Sequence, residues 1–297
     1  MKFISLLVFT IALTGCSSKS KDGSSGKVKP NIAFEISEGI LHPESIIYSV
    51  QHEAFFVSNV ASGNPVETKP VGYLSKISKD GKVINAKWIT GLHAPKGLAI
   101  VGDDLYVTDV TRVHKVSISK SKTMKTFNVK NSKFLNDAVA DAKGNIYISD
   151  MFSNILYRIQ DDKLSNWIQD PKLEGSNGLF TDGKEHLLVV KWGPGLDPKT
   201  FKTTAPGDMA TVLLSNTNEI SLNTQIQGNL DGITVDDKGV LWISDWMNGD
   251  VFTMNKQGKV KKMFNFGPGT ADITFAKDLN LLMIPQMNQN KIIFVQL

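Results

Sequence analysis

A single cysteine, Cys16, occurs among the 297 residues. That scarcity excludes an intramolecular disulfide, and it excludes a thiolate metal cage or a cysteine nucleophile in the body of the chain. A membrane-length apolar run is also missing, since the longest, Phe3 to Leu13, is too short to cross a bilayer as a helix. The formal charge is only +4 and is spread evenly. With no lysine or arginine run interleaved with aromatics, a nucleic-acid partner is not expected. Apolar residues at helical spacing are scarce throughout, which argues against a helical fold. Gly23-Ser24-Ser25-Gly26-Lys27 has the wrong spacing for a phosphate loop, and no apolar strand precedes it.

What the chain does contain begins with an export signal: Met1-Lys2, the short apolar run, then Leu13-Thr14-Gly15-Cys16. This stretch resembles a bacterial lipoprotein signal, in which the cysteine is acylated and becomes the first mature residue. The resemblance implies lipidation at Cys16, with residues 1–15 as signal peptide. An ordinary secretory signal with an incidental cysteine is the alternative. One acyl chain holds a membrane only marginally, so anchoring implies several chains on that residue. Ser17, rather than an aspartate, follows, which in Gram-negative lipoproteins resembles the default for the outer membrane, facing the periplasm. Ser17 to Pro30 is Ser, Lys, Gly and Asp with a single valine, too polar to offset chain entropy. Residues 16–30 are therefore expected to be a lipidated cysteine and a flexible tether.

Residues 31–297 repeat one pattern. Leu230-Asp231-Gly232-Ile233-Thr234-Val235, an Asp/Gly turn, and Val240-Leu241-Trp242-Ile243-Ser244-Asp245 read as two strands joined by a tight hairpin. The second strand recurs six times, ending at Asn59, Asp109, Asp150, Lys191, Asp245 and Pro285, at intervals of 50, 41, 41, 54 and 40 residues. Several short strands at that period predict an all-β fold, a six-bladed β-propeller. The alternating segment near Asn31 to Ile36 is expected to pair with Lys291 to Leu297 and close the ring, because an open ring would expose an edge. The two long intervals mark insertions, Ala61 to Val71 and Trp192 to Ala210, and the second reads as a loop over one face.

Repeats allow comparison by register. Fourteen residues before each repeat end stand Ser45, Pro95, Asn136, Asn177, Asp231 and Ala271, and a slip of one residue adds Glu44, Lys96 and Asp272. Inner strands of a propeller line its central channel, so polar side chains at this register should converge on the axis. Glu44, Asn136, Asn177 and Asp231 would then bring two carboxylates and two amide oxygens to one point. Such hard donors suit one divalent cation, calcium foremost, with magnesium, manganese or zinc as alternatives. The competing reading is that Asn-Gly and Asp-Gly simply form turns.

Pro43-Glu44-Ser45, Asn136-Asp137, Ser176-Asn177-Gly178-Leu179 and Leu230-Asp231-Gly232, each followed by its hairpin, resemble the senescence-marker-protein-30, gluconolactonase and luciferin-regenerating-enzyme family of six-bladed propellers. The resemblance implies that Glu44, Asn177 and Asp231 bind a catalytic divalent ion and that Asn136 lies beside it. Two departures bear on the substrate. Phe134-Leu135 stands where sugar-lactonase members place an arginine before the Asn-Asp pair, and Glu44-Ser45-Ile46 replaces their Glu-Gly-Pro, so sugar-acid lactones are not the expected substrates.

His42 and His93 precede inner strands and are candidates for a base or a partner of the metal ligands, with a rim or turn role as the alternative. Asp109, Asp150 and Asp245 are expected to hold hairpins or blade contacts. Trp192, Trp242 and Trp246 could wall a pocket or pack between blades. Together these features lead to an exported, lipid-anchored hydrolase of a lactone or similar cyclic ester acting on a small molecule, with Asp231 as base. The alternative is a non-catalytic propeller that binds a ligand or protein and uses the ion as a staple.

Overall fold

In the computed structural model, which describes residues 29–297, twenty-four strands form six four-stranded antiparallel sheets. The signal and Cys16 lie outside the described residues, as does almost all of the tether. Each sheet is one blade, laid down from the inside out. Blade 1 is β2 (Pro43–Ser49), β3 (Ala54–Asn59), β4 (Gly72–Ser78) and β5 (Val83–Leu92). The inner strands of the next four blades are β6 (Pro95–Val101), β10 (Leu135–Ala140), β14 (Ser176–Thr181) and β18 (Leu230–Val235). Blade 6 runs β22 (Thr274–Ala276), β23 (Leu281–Gln286), β24 (Lys291–Gln296) and finally β1 (Ile32–Ile36). The six-bladed propeller expected from the period is thus the fold.

The expected closure is present. β1 pairs with β24, Phe34 opposite Phe294 and Ile36 opposite Ile292, so the first and last strands share a sheet and the edge is removed. The stacked rings of Phe34 and Phe294, 4.2 Å apart, pin that register.

Alternating strands bury one face against each neighbouring blade, which divides the core into six interblade layers. Between blades 1 and 2, for instance, Phe56, Leu74 and Trp88 meet Leu98, Leu105 and Val116. Each such side chain contributes roughly 1.5–3 kcal/mol on burial. The repeat-end side chains tie the tops of the blades together. Asp109 accepts from the amides of His93 and Ala94, Asp150 from those of Lys133 and Phe134, and Asn59 from that of Leu41. These are the blade contacts expected as one role for Asp109 and Asp150, whereas Asp245 fills the other, holding the hairpin turn after its own strand by accepting from the Asn248 amide and side chain.

Both insertions join the second and third strands of their blades. The loop before β4 spans 60–71, and the later one spans 192–206, shorter than expected because β16 (Gly207–Leu213) already begins at Gly207.

Candidate functional site at the propeller axis

Each of the five inner strands β2, β6, β10, β14 and β18 carries one extra residue at the same place. Pro43 faces Asn59 but Ile46 faces Val57, and the shift repeats at Pro95/Leu98, Leu135/Ala138, Ser176/Leu179 and Leu230/Ile233. Such a β-bulge re-aims a side chain. The bulges present Glu44, Lys96, Asn136, Asn177 and Asp231, and Asp272 holds the equivalent place ahead of β22. All six are less than one-tenth exposed.

The bulge also explains the Asn-Gly and Asp-Gly pairs, which lie inside strands and do not form turns. A Cβ on Gly178 would come within 1.9 Å of the Asp231 carbonyl oxygen, and one on Gly232 within 2.2 Å of the Ile273 amide nitrogen. Glycine is needed there so that adjacent inner strands can touch. Buried hydroxyls on the second strands lock the bulges. Ser149 accepts from the Asp137 amide and donates to the Asn177 carbonyl, while Ser244 accepts from the Gly232 amide and donates to the Ala271 carbonyl. The Thr108 hydroxyl donates to the Asn136 carbonyl. These hydroxyls were not singled out in the sequence, although Ser58, Thr108, Ser149 and Ser244 each stand one residue before a repeat end.

Around the ring the side chains connect. The Asn136 amide donates to Asn177 Oδ1, and Asn177 Nδ2 donates to Asp231 Oδ1 at 2.7 Å and to the Leu230 carbonyl at 2.9 Å. Ser45 donates to Asp272 Oδ2 at 2.6 Å. Asp137, beside Asn136, accepts from the amides of Ala138 and Leu179, both at 2.6 Å. The structure thus gathers Glu44, Asn136, Asn177 and Asp231 at one register. It adds Lys96, Asp137 and Asp272, of which Lys96 and Asp272 were visible only as register neighbours.

Four buried carboxylates at one axis disfavour one another's charge. Burial, and then the charges of Asp231 and Asp272, hold Glu44 well above the carboxylate range, against the pull of Lys96. Burial and Asp272 raise Asp231, against the hydrogen bond from Asn177. Asp137 is raised by burial and Asp272, against its backbone hydrogen bonds. Burial pushes Asp272 up to about 7, opposed by the Ser45 hydroxyl. Lys96 is lowered by burial to about 8, with Glu44 and Asp109 holding it up. Its ammonium donates to the Ala94 carbonyl at 2.8 Å and sits 4.5 Å over the Phe134 ring.

Two ring oxygens, Glu44 Oε2 and Asn136 Oδ1, are buried without a hydrogen-bond partner. Orphans of this kind are costly, and an ion is one remedy. Oxygen donors and an excess of negative charge fit a hard divalent cation. Among the described residues, however, no three acidic, histidine or cysteine side chains group as a metal cage. The amide oxygens would have to complete the set.

His42 and His93 stay at the rim. His42 sits in the left-handed backbone region with its amide donating to Asn290 Oδ1 and its ring against Gly63. His93 is partly buried, its pKa lowered by burial against the charge of Asp109. The tryptophans divide. Trp242 stacks on Phe264 between blades 5 and 6 and donates to Asp236. Trp192 and Trp246 lie 5.9 Å apart in an apolar cluster with Phe134, Met151, Phe152, Leu196 and Phe201. Phe134 and Met151 also reach the ring, through Lys96 and Asn136 respectively, so the cluster adjoins the axis at those two residues.

A closed six-bladed propeller with bulge-presented polar groups at its axis is the class defined by fold and site. The profile of the SMP-30/Gluconolactonase/LRE-like region matches residues 42–287, and the chain belongs to that family. No curated protein matches it. Among solved structures it is similar to a catalytically inactive virginiamycin B lyase from Staphylococcus aureus with quinupristin (12% identity, 91% of this chain and 99% of that one, TM-score 0.57). A streptogramin B lyase aligns at 13% identity over 90% of this chain and 96% of its own, with TM-score 0.59. The Cps50 (Swd1) β-propeller domain of Myceliophteria thermophila aligns at 12% identity over 90% and 100%, with TM-score 0.59. At these identities the likeness concerns the fold alone.

Proposed function

We propose that this chain is an exported, lipid-anchored hydrolase that opens a lactone or similar cyclic ester at its axis, with a divalent ion held by Glu44, Asn177 and Asp231. The observation that carries the reading is the pair of unpartnered, buried oxygens on Glu44 and Asn136, set in a ring of carboxylates that cannot all ionise unaided. Calcium or another hard divalent cation held by these residues would supply carbonyl polarisation and an acidified water. Asp231 would take the proton of the attacking water through the carboxylate oxygen not engaged by Asn177. Asn177, by its hydrogen bond, fixes which Asp231 oxygen is free. Asn136 holds Asn177 in turn and orients the substrate beside it.

A specific observation favours a second reading, in which the ion is only a staple and the propeller binds a ligand or protein. Every ring group is nearly fully buried, and the aromatic cluster closes over Lys96 and Asn136. Asp231→Asn decides between the two. It keeps an oxygen donor but removes the base, so hydrolysis of a lactone panel should fall about 10³-fold or more. Glu44→Gln should weaken metal binding in both readings. Wild-type activity in Asp231→Asn would remove the proposed base, and undiminished metal affinity in both variants would remove the site. Anchoring in the outer membrane, facing the periplasm, rests on Cys16 and Ser17. Cys16→Ser should abolish fatty-acid labelling and membrane partition.

A further inference from the structure

Beside the aromatic cluster lies a groove of about 420 Å³ lined by Lys133, Met151, Phe152, Asn154, Leu196 and Pro198, among others. That volume falls in the range of small-molecule sites, roughly 300–1,000 Å³. Its floor is shared with the axis. Met151 lines the groove and is itself only 2% exposed, while its Sδ lies 4.0 Å from Asn136 Nδ2. One unbranched, adaptable side chain therefore separates the groove from the polar ring. Phe152 and Leu196 form apolar walls and belong to the same cluster as Phe134 and Trp192. Lys133, Asn154 and Glu174 also line it, but a Glu174 oxygen already accepts from the Gly195 amide at 2.9 Å, so the apolar surface offered to a ligand is that of Met151, Phe152, Leu196 and Pro198.

We infer that the groove is the subsite for an apolar substituent of the substrate, and that Met151 is the residue across which the substrate spans from groove to ring. The substrate class is then a lactone or cyclic ester carrying an alkyl or aryl group, in place of a sugar-acid lactone. This rests on the hydrolase reading for the reacting end of the molecule, whereas the groove's preference for an apolar body is a matter of binding. Leu196 and Phe152 set specificity by the length and width of the group they admit. The loop that carries Leu196 and Pro198 belongs to blade 4, and Asn177 stands on the inner strand of that blade. Met151, Phe152 and Asn154 come from blade 3, whose inner strand carries Asn136, so the groove lies between the two blades that present the ring's asparagines.

The test is direct binding, read by tryptophan fluorescence, with Trp192 and Trp246 in the adjoining cluster. The protein is the full chain carrying Cys16→Ser, which keeps acyl chains out of the measurement. The probes are δ-lactones with alkyl side chains of increasing length, up to δ-dodecalactone, and D-glucono-δ-lactone. Affinity should rise about fourfold for each methylene the groove covers, and δ-dodecalactone should bind at least tenfold tighter than the sugar lactone. Leu196→Trp, which fills the groove, should weaken δ-dodecalactone binding at least tenfold more than it weakens binding of the shortest-chain lactone. Pro198→Trp at the exposed rim is the second variant and should act in the same direction. Sugar-lactone binding as tight as that of δ-dodecalactone would overturn the inference. So would affinity independent of chain length, indifference to both variants, or no binding of any lactone. Tight, chain-length-dependent binding without turnover would instead overturn the hydrolase reading and leave the subsite standing.

Discussion

The two long insertions occupy the same connection in blades that face one another across the axis, and they are built differently. The blade 1 loop, residues 60–71, buries only Val60 at its root, leaves Val66 and Val71 exposed and holds itself with local turns around Ser62, Asn64 and Glu67. The blade 4 loop buries Trp192, whose indole donates to the Phe201 carbonyl at 2.9 Å, and it packs Leu196 and Phe201 into the cluster beside the axis. Similar length and position thus give one surface ornament and one structural cover. The lesson is that burial of large side chains decides which insertion belongs to the site, not insertion length.

The largest expected effect on that contrast comes from the loops themselves. Trp192→Ala should cost about 3–5 kcal/mol, whereas Val66→Ala should stay within about 0.5 kcal/mol, both read from denaturant midpoints. Equal costs would dissolve the distinction. Next comes Gly178→Ala, which forces a methyl group to within 1.9 Å of the Asp231 carbonyl oxygen. A loss of about 1–3 kcal/mol is expected, together with weaker metal binding as Asp231 is displaced. A neutral result would show that inner strands are free to separate.

A smaller, pH-dependent effect separates the axis from the loops. The folded-state pKa of Asp272, about 7, lies above its unfolded value of 3.8, so the folded chain keeps a proton that the unfolded chain releases. Stability is therefore full below pH 4 as far as this group is concerned and is lost as pH rises towards 7. Glu44, Asp137 and Asp231 act in the same direction. With chelator present, stability should fall across this window by an amount on the order of a few kcal/mol, read as a falling melting temperature. Added divalent ion should flatten the fall. A melting temperature that climbs with pH from 4 to 7 would contradict the buried carboxylate ring.

Much of this molecule is legible in its sequence, for identifiable reasons. Strand runs ending at Asn59, Asp109, Asp150, Lys191, Asp245 and Pro285 gave the period, and the period gave the six blades and the closing partnership of β1 with β24. The register of Glu44, Asn136, Asn177 and Asp231 was readable because five of the six blades repeat the same bulge. The bulge itself was not, since one extra residue leaves no compositional trace. That is why the glycines at 178 and 232 look like turn formers when their task is close approach between blades. Lys96 and Asp272 share the register, but their charge has meaning only once burial is known. The aromatic cover joins Phe134, Trp192, Phe201 and Trp246 from three blades, a contact that no local pattern encodes.

The central claim is that the axial ring holds an ion that serves chemistry. Elemental analysis of the purified full chain, paired with turnover of alkyl lactones before chelation, after it, and after metal is restored, tests it most directly. The account predicts one divalent ion per chain, with turnover lost on chelation and regained on reloading. A metal-free chain, or turnover untouched by chelation, would contradict it.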